Sequence, residues 1–310
     1  MAGNVPIIIS IYSRPDLAKQ VLDAVSIYKP KKIYVIADGP KCEHDIDNCY
    51  KTRNVIETID WDCDVRKKYS ENNLGPGFTI SSGITWAFGS CDRAIILEED
   101  CIPHSSFFQY CEELLERYLL NQEVGLITGT TLLDNSSSSE SYYFSCFPHL
   151  WGWATWKRFW DNYSYTMDDW QANKNTQLIK EIIDSKYYSK IWVSNFNQVI
   201  KHQIDTWDYQ AIYLLWKNKQ LGIVPKENLV RNVGFDTRSA HTKRPNKLFN
   251  SLKFHQINFP LVHPNEIRRN LSNDKRYLPT LYGEKPSLTS IMIGKLYRFY
   301  KKTIFYRRKI

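Results

Sequence analysis

Short apolar, β-branched runs alternate with stretches of helical periodicity through the first 130 residues. Val5 to Ile11 predicts a buried first strand with Pro6 near its start. Lys32 to Ala37 predicts a second, closed by Asp38-Gly39-Pro40. Between them Ser13-Arg14-Pro15-Asp16 marks a turn and a helix start, with Pro15 suited to the first helical turn, and Leu17, Val21, Leu22 and Val25 recur at helical spacing. Arg53 to Ile59 predicts a further helix, and Asp64 to Tyr69 a more polar strand near a sheet edge. Phe78 to Phe88 predicts a helix entered from the loop Asn73-Leu74-Gly75-Pro76-Gly77. Arg93 to Leu97 is a fourth strand, and Ser105 opens a helix with capping-box spacing from Ser106 to Gln109. Alternation of this kind predicts an α/β fold, a mixed but mostly parallel sheet flanked by helices on both faces.

The second half changes character. Val124 to Thr130 is another strand, Asn135 to Ser141 is a polar, Ser-rich loop, and Phe144 to Trp160 is crowded with aromatics. Gln177 to Tyr187, Val193 to His202 and Asp208 to Lys217 are helical, and Leu221 to Val224 is a short strand before Pro225. No linker or internal repeat stands out. The pattern predicts one domain over 1–245, with residues 1–125 and 126–245 as its halves, followed by an extension over 246–310.

Composition narrows the class. The 310 residues are 43% hydrophobic and 24% charged, as in ordinary globular proteins, and the aromatic share is high at 14%. The net charge of +8 comes almost wholly from Lys295, Arg298, Lys301, Lys302, Arg307, Arg308 and Lys309. A body so close to neutral argues against a nucleic-acid partner. On a helical wheel those cations oppose Met292, Leu296, Phe299, Tyr300, Ile304 and Tyr306. Residues 288–310 therefore read either as a cationic amphipathic helix for an anionic membrane surface or as a basic helix packed on its own domain. Seven cysteines without a C-x-x-C pair fit a reducing compartment, and neither a leader nor a spanning segment is read from the chain. The expected location is cytoplasmic, and peripheral on the inner face of the membrane under the first reading of that segment.

The candidate chemistry gathers where strands end. Ala94-Ile95-Ile96-Leu97 runs straight into Glu98-Glu99-Asp100. Three adjacent acids repel one another, and a divalent cation at the carboxyl end of a strand resolves that repulsion; a solvated surface turn is the competing reading. The first strand-to-helix turn, Ser10 to Arg14, lacks the glycines of a dinucleotide site or a P-loop, which argues against both classes. Tyr12 and Arg14 there read as holders of a base and a phosphate, or as surface residues. Asp38 suits a base N–H or a ribose hydroxyl, and also a plain turn. Asn73 to Gly83 suits close approach to a ligand, or a capped tight turn. In Asp205-Thr206-Trp207-Asp208, Asp205 or Thr206 reads as a helix cap and Asp208 as a cap or a general base in aromatic surroundings.

In this order, over residues 5–245, these segments resemble glycosyltransferases of the GT-A fold. The likeness is to the inverting N-acetylglucosaminyltransferase I type and its bacterial relatives. It rests on Tyr12 and Arg14 after the first strand, Asp38 after the second, and the Asn73 to Gly83 segment. It rests further on Glu98-Glu99-Asp100 as a variant Asp-x-Asp motif, on Phe147-Pro148-His149-Leu150-Trp151-Gly152-Trp153, and on Trp207-Asp208. The chain departs from the family pattern at Trp151, which is bulky where the family is open, and in having one acid after Trp207. The loop Phe235 to His241 matches only loosely.

The resemblance implies a metal-dependent enzyme moving a hexosyl or N-acetylhexosaminyl group from a nucleotide-diphosphate sugar, UDP-linked by preference, to a glycan or lipid-linked acceptor. It implies Mn²⁺ or Mg²⁺ on Asp100 with His241, and donor contacts from Tyr12, Arg14, Asp38, Asn73, Gly77, Ser81, Glu98, Glu99 and Ser239. Asp208 would be the base, and Trp151, Trp153 and Trp207 the sugar platform. A sugar-1-phosphate nucleotidyltransferase would show a glycine-rich basic loop after the first strand, which Ser10 to Arg14 is not. A non-catalytic sugar-nucleotide-binding or scaffold protein and a sugar-nucleotide hydrolase stay open at this point.

Overall fold

A computed structural model describes residues 3–135, 137–173, 176–235, 249 and 252–286. Its centre is an eight-stranded sheet in the order β3-β2-β1-β4-β8-β6-β9-β7. The strands are β1 (Ile7–Ile11), β2 (Lys32–Ala37), β3 (Asp64–Tyr69), β4 (Arg93–Glu98), β6 (Val124–Thr130), β7 (Tyr142–Ser145), β8 (His149–Trp156) and β9 (Leu221–Pro225). Strands β3, β2, β1 and β4 run parallel, as do β6 and β9, while β8 and β7 run against their neighbours. This is the mixed, mostly parallel α/β sheet expected from the alternation of apolar runs. A small antiparallel pair, β5 (Cys101–Pro103) with β10 (Val230–Asn232), lies just beyond β4.

Both faces of the sheet are buried, and strand parity assigns side chains to them. Ile8, Ile96, Leu126 and Trp153 enter one core with Ile84 and Trp207; Ile7, Ile9, Leu97 and Ile127 enter the other with Phe107 and Leu114. The helices covering these faces are α1 (Pro15–Tyr28), α2 (Glu43–Val55), α3 (Pro76–Phe88), α4 (Ser105–Arg117), α5 (Lys157–Trp160), α6 (Asp168–Asn173), α7 (Thr176–Ile182), α8 (Lys186–Ile200), α9 (Asp208–Lys217) and α10 (Leu271–Tyr282).

Several boundaries differ from the sequence expectation for physical reasons. The helix expected over Arg53 to Ile59 begins at Glu43 and ends in a 3₁₀ turn at Ile56–Thr58. Only Cys49 and Thr52 of α2 are buried, so its apolar periodicity is too weak to announce it. The expected Ser106–Gln109 box is replaced by a cap from His104, whose ring accepts the Ser106 N–H. The extension beyond 245 contributes to the main core. Tyr277 of α10 stacks on Phe147 at 5.7 Å, and buried Asp274 accepts from Arg269 Nε at 2.6 Å and from Ser145. Residues 288–310, and the Ser239 and His241 assignments, lie outside the described residues. Among the described residues no helix is long and apolar enough to cross a membrane. All seven cysteines are unpaired.

Candidate functional site

The three acids after Leu97 part company at the end of β4. Glu99 turns to the α1 side, where it is buried. Its carboxylate accepts the Tyr12 N–H at 2.6 Å and Arg14 Nε at 2.6 Å. Arg14 extends its fork to Asp100, with Nη2 to Oδ2 at 2.8 Å. Burial pulls the guanidinium's pKa down, but Asp100 and Glu99 outweigh it and hold the charge firmly in place. Burial likewise raises Glu99, opposed by Arg14. Arg14 is thus a staple between β1 and the turn after β4, with Nε and Nη2 engaged by acids.

Glu98 continues the opposite face, in line with Ile96, and looks toward α9. Its side chain makes no hydrogen bond or ion pair among the described residues. Its carboxyl is pushed up to about 8, first by burial and then by Asp100 and Asp208, with Arg14 opposing. Asp208 is the first residue of α9. Its Oδ1 accepts the Tyr209 N–H at 2.8 Å and the Thr206 hydroxyl, and its Oδ2 has no partner among the described residues. Glu98, Asp100 and Asp208 are therefore three half-buried carboxylates near enough for Asp100 and Asp208 to disfavour the charge on Glu98. The segment after β10 closes one side. Val233 N donates to Asp100 O at 2.8 Å, Asn232 Nδ2 approaches Asp100 Oδ1 at 3.4 Å, and Gly234 lies so close that a Cβ there would overlap the Asp100 carboxylate.

Among the described residues no three His, Cys, Asp or Glu side chains form a cage able to hold an ion by themselves. The donor set fits a different arrangement. Magnesium-type cations commonly take one or two carboxylates and complete their sphere with substrate phosphates and water. Glu98, with no side-chain partner among the described residues, and Asp100, with Oδ1 only weakly engaged, are carboxylates of that kind. Their mutual repulsion is relieved by a cation.

Other expected site residues are occupied elsewhere. Asp38 is buried and saturated: Oδ1 accepts from Gly39 N and Leu74 N, both at 2.9 Å, and Oδ2 from Gly75 N at 2.9 Å and Asn73 Nδ2 at 3.0 Å. Asp38 and Asn73 are thereby a clasp between β2 and the loop before α3. Gly77 gives its N–H to Asp205 Oδ1 at 3.1 Å, and buried Ser81 returns its hydroxyl to Gly77 O at 2.7 Å. Neither presents its group to a ligand. Tyr12 keeps a half-buried ring at the end of β1, with its hydroxyl bonded to Asp45 at 2.7 Å.

The aromatic expectations also divide. Trp153 and Trp207 stack on each other at 5.2 Å inside the core, 1% and 4% exposed, so they are packing residues and not a sugar platform. Trp151 alone of the three is half-buried, edge-on to His149 at 4.2 Å and beside Phe235 at 5.4 Å and Phe249 at 4.7 Å. Two residues escaped the sequence reading as site components. Asn232 ends the short strand β10, which no sequence signal announced, and brings its amide to Asp100. Asp205, read as a cap for α9, instead bonds to the start of α3.

No protein-family model and no curated protein matches the chain. Solved structures with some likeness include UDP-glucose pyrophosphorylase without ligand, at 9% identity and a TM-score of 0.36 over 72% of this chain and 90% of that one. HddC from Yersinia pseudotuberculosis gives 11% and 0.32 over 51% and 80%. 4-Diphosphocytidyl-2C-methyl-D-erythritol synthase from Anaerococcus prevotii gives 10% and 0.34 over 55% and 76%. Likeness at this level bears on neither activity nor substrate.

Proposed function

We propose that the protein is a metal-dependent glycosyltransferase of GT-A type that moves a sugar from a nucleotide-diphosphate donor to a hydroxyl acceptor with inversion. The observation that carries this reading is the convergence of Glu98, Asp100 and Asp208 at the carboxyl end of β4, with Glu98 and one oxygen of Asp208 unpartnered among the described residues. Ligands of open α/β sheets bind at the carboxyl ends of the strands. Glu98 and Asp100 are the residues to hold Mn²⁺ or Mg²⁺, which supplies charge neutralisation for a departing diphosphate. Asp208 Oδ2 takes the proton of the acceptor hydroxyl as its oxygen bonds to the anomeric carbon and the bond to the diphosphate breaks. The Tyr209 N–H and Thr206 hydroxyl fix Oδ1 and so aim Oδ2. Trp151 offers an apolar edge for a sugar ring. The acceptor in this reading is a glycan or lipid-linked sugar, with residues 288–310 resting on an anionic membrane. Flotation with vesicles, with and without that segment, tests the membrane part; equal behaviour of the two chains refutes it.

The enzymatic part is tested by incubating the protein with UDP-, GDP- and dTDP-sugars in Mn²⁺ or EDTA and measuring released nucleoside diphosphate. Slow, metal-dependent release from one nucleotide class is expected. Absence of both release and thermal stabilisation by every class at millimolar concentration contradicts the reading and leaves a scaffold role. Release that no sugar acceptor accelerates points to a hydrolase.

A further inference from the structure

The residues before Asp208 are held with unusual completeness, and the hold comes from the other half of the chain. Asp205 Oδ1 accepts the Gly77 N–H at 3.1 Å and the Tyr165 hydroxyl at 3.4 Å. Gly77 lies in the first turn of α3, directly after Pro76, where backbone N–H groups have no partner within the helix and the helix dipole favours a carboxylate. Asp205 is therefore a cap for α3 supplied from 128 residues away in sequence. The fit leaves no slack. Gly75 adopts φ +83°, and a Cβ on Gly75 or Gly77 would overlap the Asp205 carboxylate. The loop ending at Gly77 is in turn clasped to β2 by Asp38 through Leu74 N and Gly75 N.

Each following residue is fixed as well. Gln210 Nε2 donates to Thr206 O at 2.8 Å, Tyr163 donates to Trp207 O at 3.0 Å, and the Trp207 ring stacks on Trp153. The Thr206 hydroxyl then meets Asp208. We infer that Asp205 is a positioning residue. It ties the turn that carries Asp208 to the N-terminus of α3, and through the Asp38 clasp to the end of β2. The orientation of the Asp208 carboxylate is then set from the same loop that borders the end of β2. The inference rests on the reading of Asp208 as the base.

The experiment compares Asp205→Ala, Asp205→Asn and Gly77→Ala with the wild type in steady-state transfer and in amide hydrogen exchange. Alanine removes the acceptor, whereas asparagine keeps an oxygen for the Gly77 N–H. Gly77→Ala displaces the carboxylate without removing it, and decides the matter should Asp205→Ala fold poorly. We expect Asp205→Ala and Gly77→Ala to lower kcat about 30-fold with donor KM little changed, and Asp205→Asn to stay within about threefold of wild type. A merely structural role would lower the fraction of active enzyme and leave kcat per folded molecule alone. Unchanged kcat in Asp205→Ala, or an Asp205→Asn as slow as the alanine variant, overturns the inference. Exchange needs no turnover. Asp205→Ala should speed it in peptides spanning 73–79 and 205–210 together, and unchanged protection over 205–210 also overturns the link. Full transfer by Asp208→Asn would instead remove the reading of the base and leave the exchange result standing.

Discussion

Two sets of carboxylates stand at the carboxyl ends of β2 and β4, one strand apart, and the protein treats them oppositely. Asp38 receives four donors from its own chain and is closed to ligands. Glu98 receives none among the described residues, and the nearby charges of Asp100 and Asp208 add to the cost of its own. Both positions look alike in sequence, as an acid following an apolar run. A buried carboxylate is tolerated when its acceptors are filled, and is costly when they are not. The satisfied acid therefore builds the frame, and the unsatisfied ones mark where an outside cation or proton is expected.

The largest effect that would break this comparison is at the unsatisfied end. Asp208→Asn should reduce transfer by roughly 10²–10⁴-fold while leaving the fold intact, as measured by turnover and thermal unfolding in parallel. Near-normal transfer would move the base elsewhere. At the satisfied end, Asp38→Ala should lower turnover per folded molecule far less than Asp208→Asn, because it loosens the loop that holds Asp205 without touching the base, but should cost about 3 kcal/mol of stability in urea unfolding, because four donors lose their acceptor. A stability change near zero, with donor binding lost, would reverse the two roles.

His149 sharpens the comparison within the aromatic wall. Its Nε2 is buried without a partner among the described residues, its Nδ1 pairs with the Tyr277 hydroxyl at 3.0 Å, and burial lowers its pKa to about 4. The unfolded chain takes up that proton near the ordinary value of about 6.5, so between about 6.5 and 4 the unfolded state binds more protons. Stability from this residue is complete above that window and falls as pH drops through it, by about 3 kcal/mol. In His149→Gln the slope of stability against pH should flatten there; an unchanged slope would place the titration in other groups. The smallest expected effect is Tyr12→Phe. It removes the bond to Asp45 but keeps the ring, and should cost about 1 kcal/mol with donor binding preserved. A large loss of donor binding would give the hydroxyl a ligand role.

How much of this was legible depended on the kind of signal. The bounds of β2, β3, β6 and α9 follow from runs whose period and punctuation agree. Helix α2 is polar on most of its surface, and Ile46 and Cys49 in its first two turns do not make a periodic apolar stripe. The acid triplet was visible, but its division was hidden in strand parity. Leu97 and Glu99 share one face and Ile96 and Glu98 the other, which makes Glu99 the partner of Arg14 and leaves Glu98 without a side-chain partner among the described residues. Trp153 and Trp207 could not be told from a sugar platform, because an aromatic suits a core and a carbohydrate equally and only burial separates them. The glycines at 75 and 77 did signal a close approach, but the approaching group is Asp205 of the same chain.

The most direct test of the acidic site is a calorimetric titration of the responsive donor, in Mn²⁺ and in EDTA, into wild-type protein, Asp100→Asn and Asp208→Asn. The account predicts that Asp208→Asn binds donor within about threefold of wild type and keeps the metal dependence, whereas Asp100→Asn loses at least about tenfold in affinity together with that dependence. Metal-dependent binding that survives intact in Asp100→Asn would contradict it.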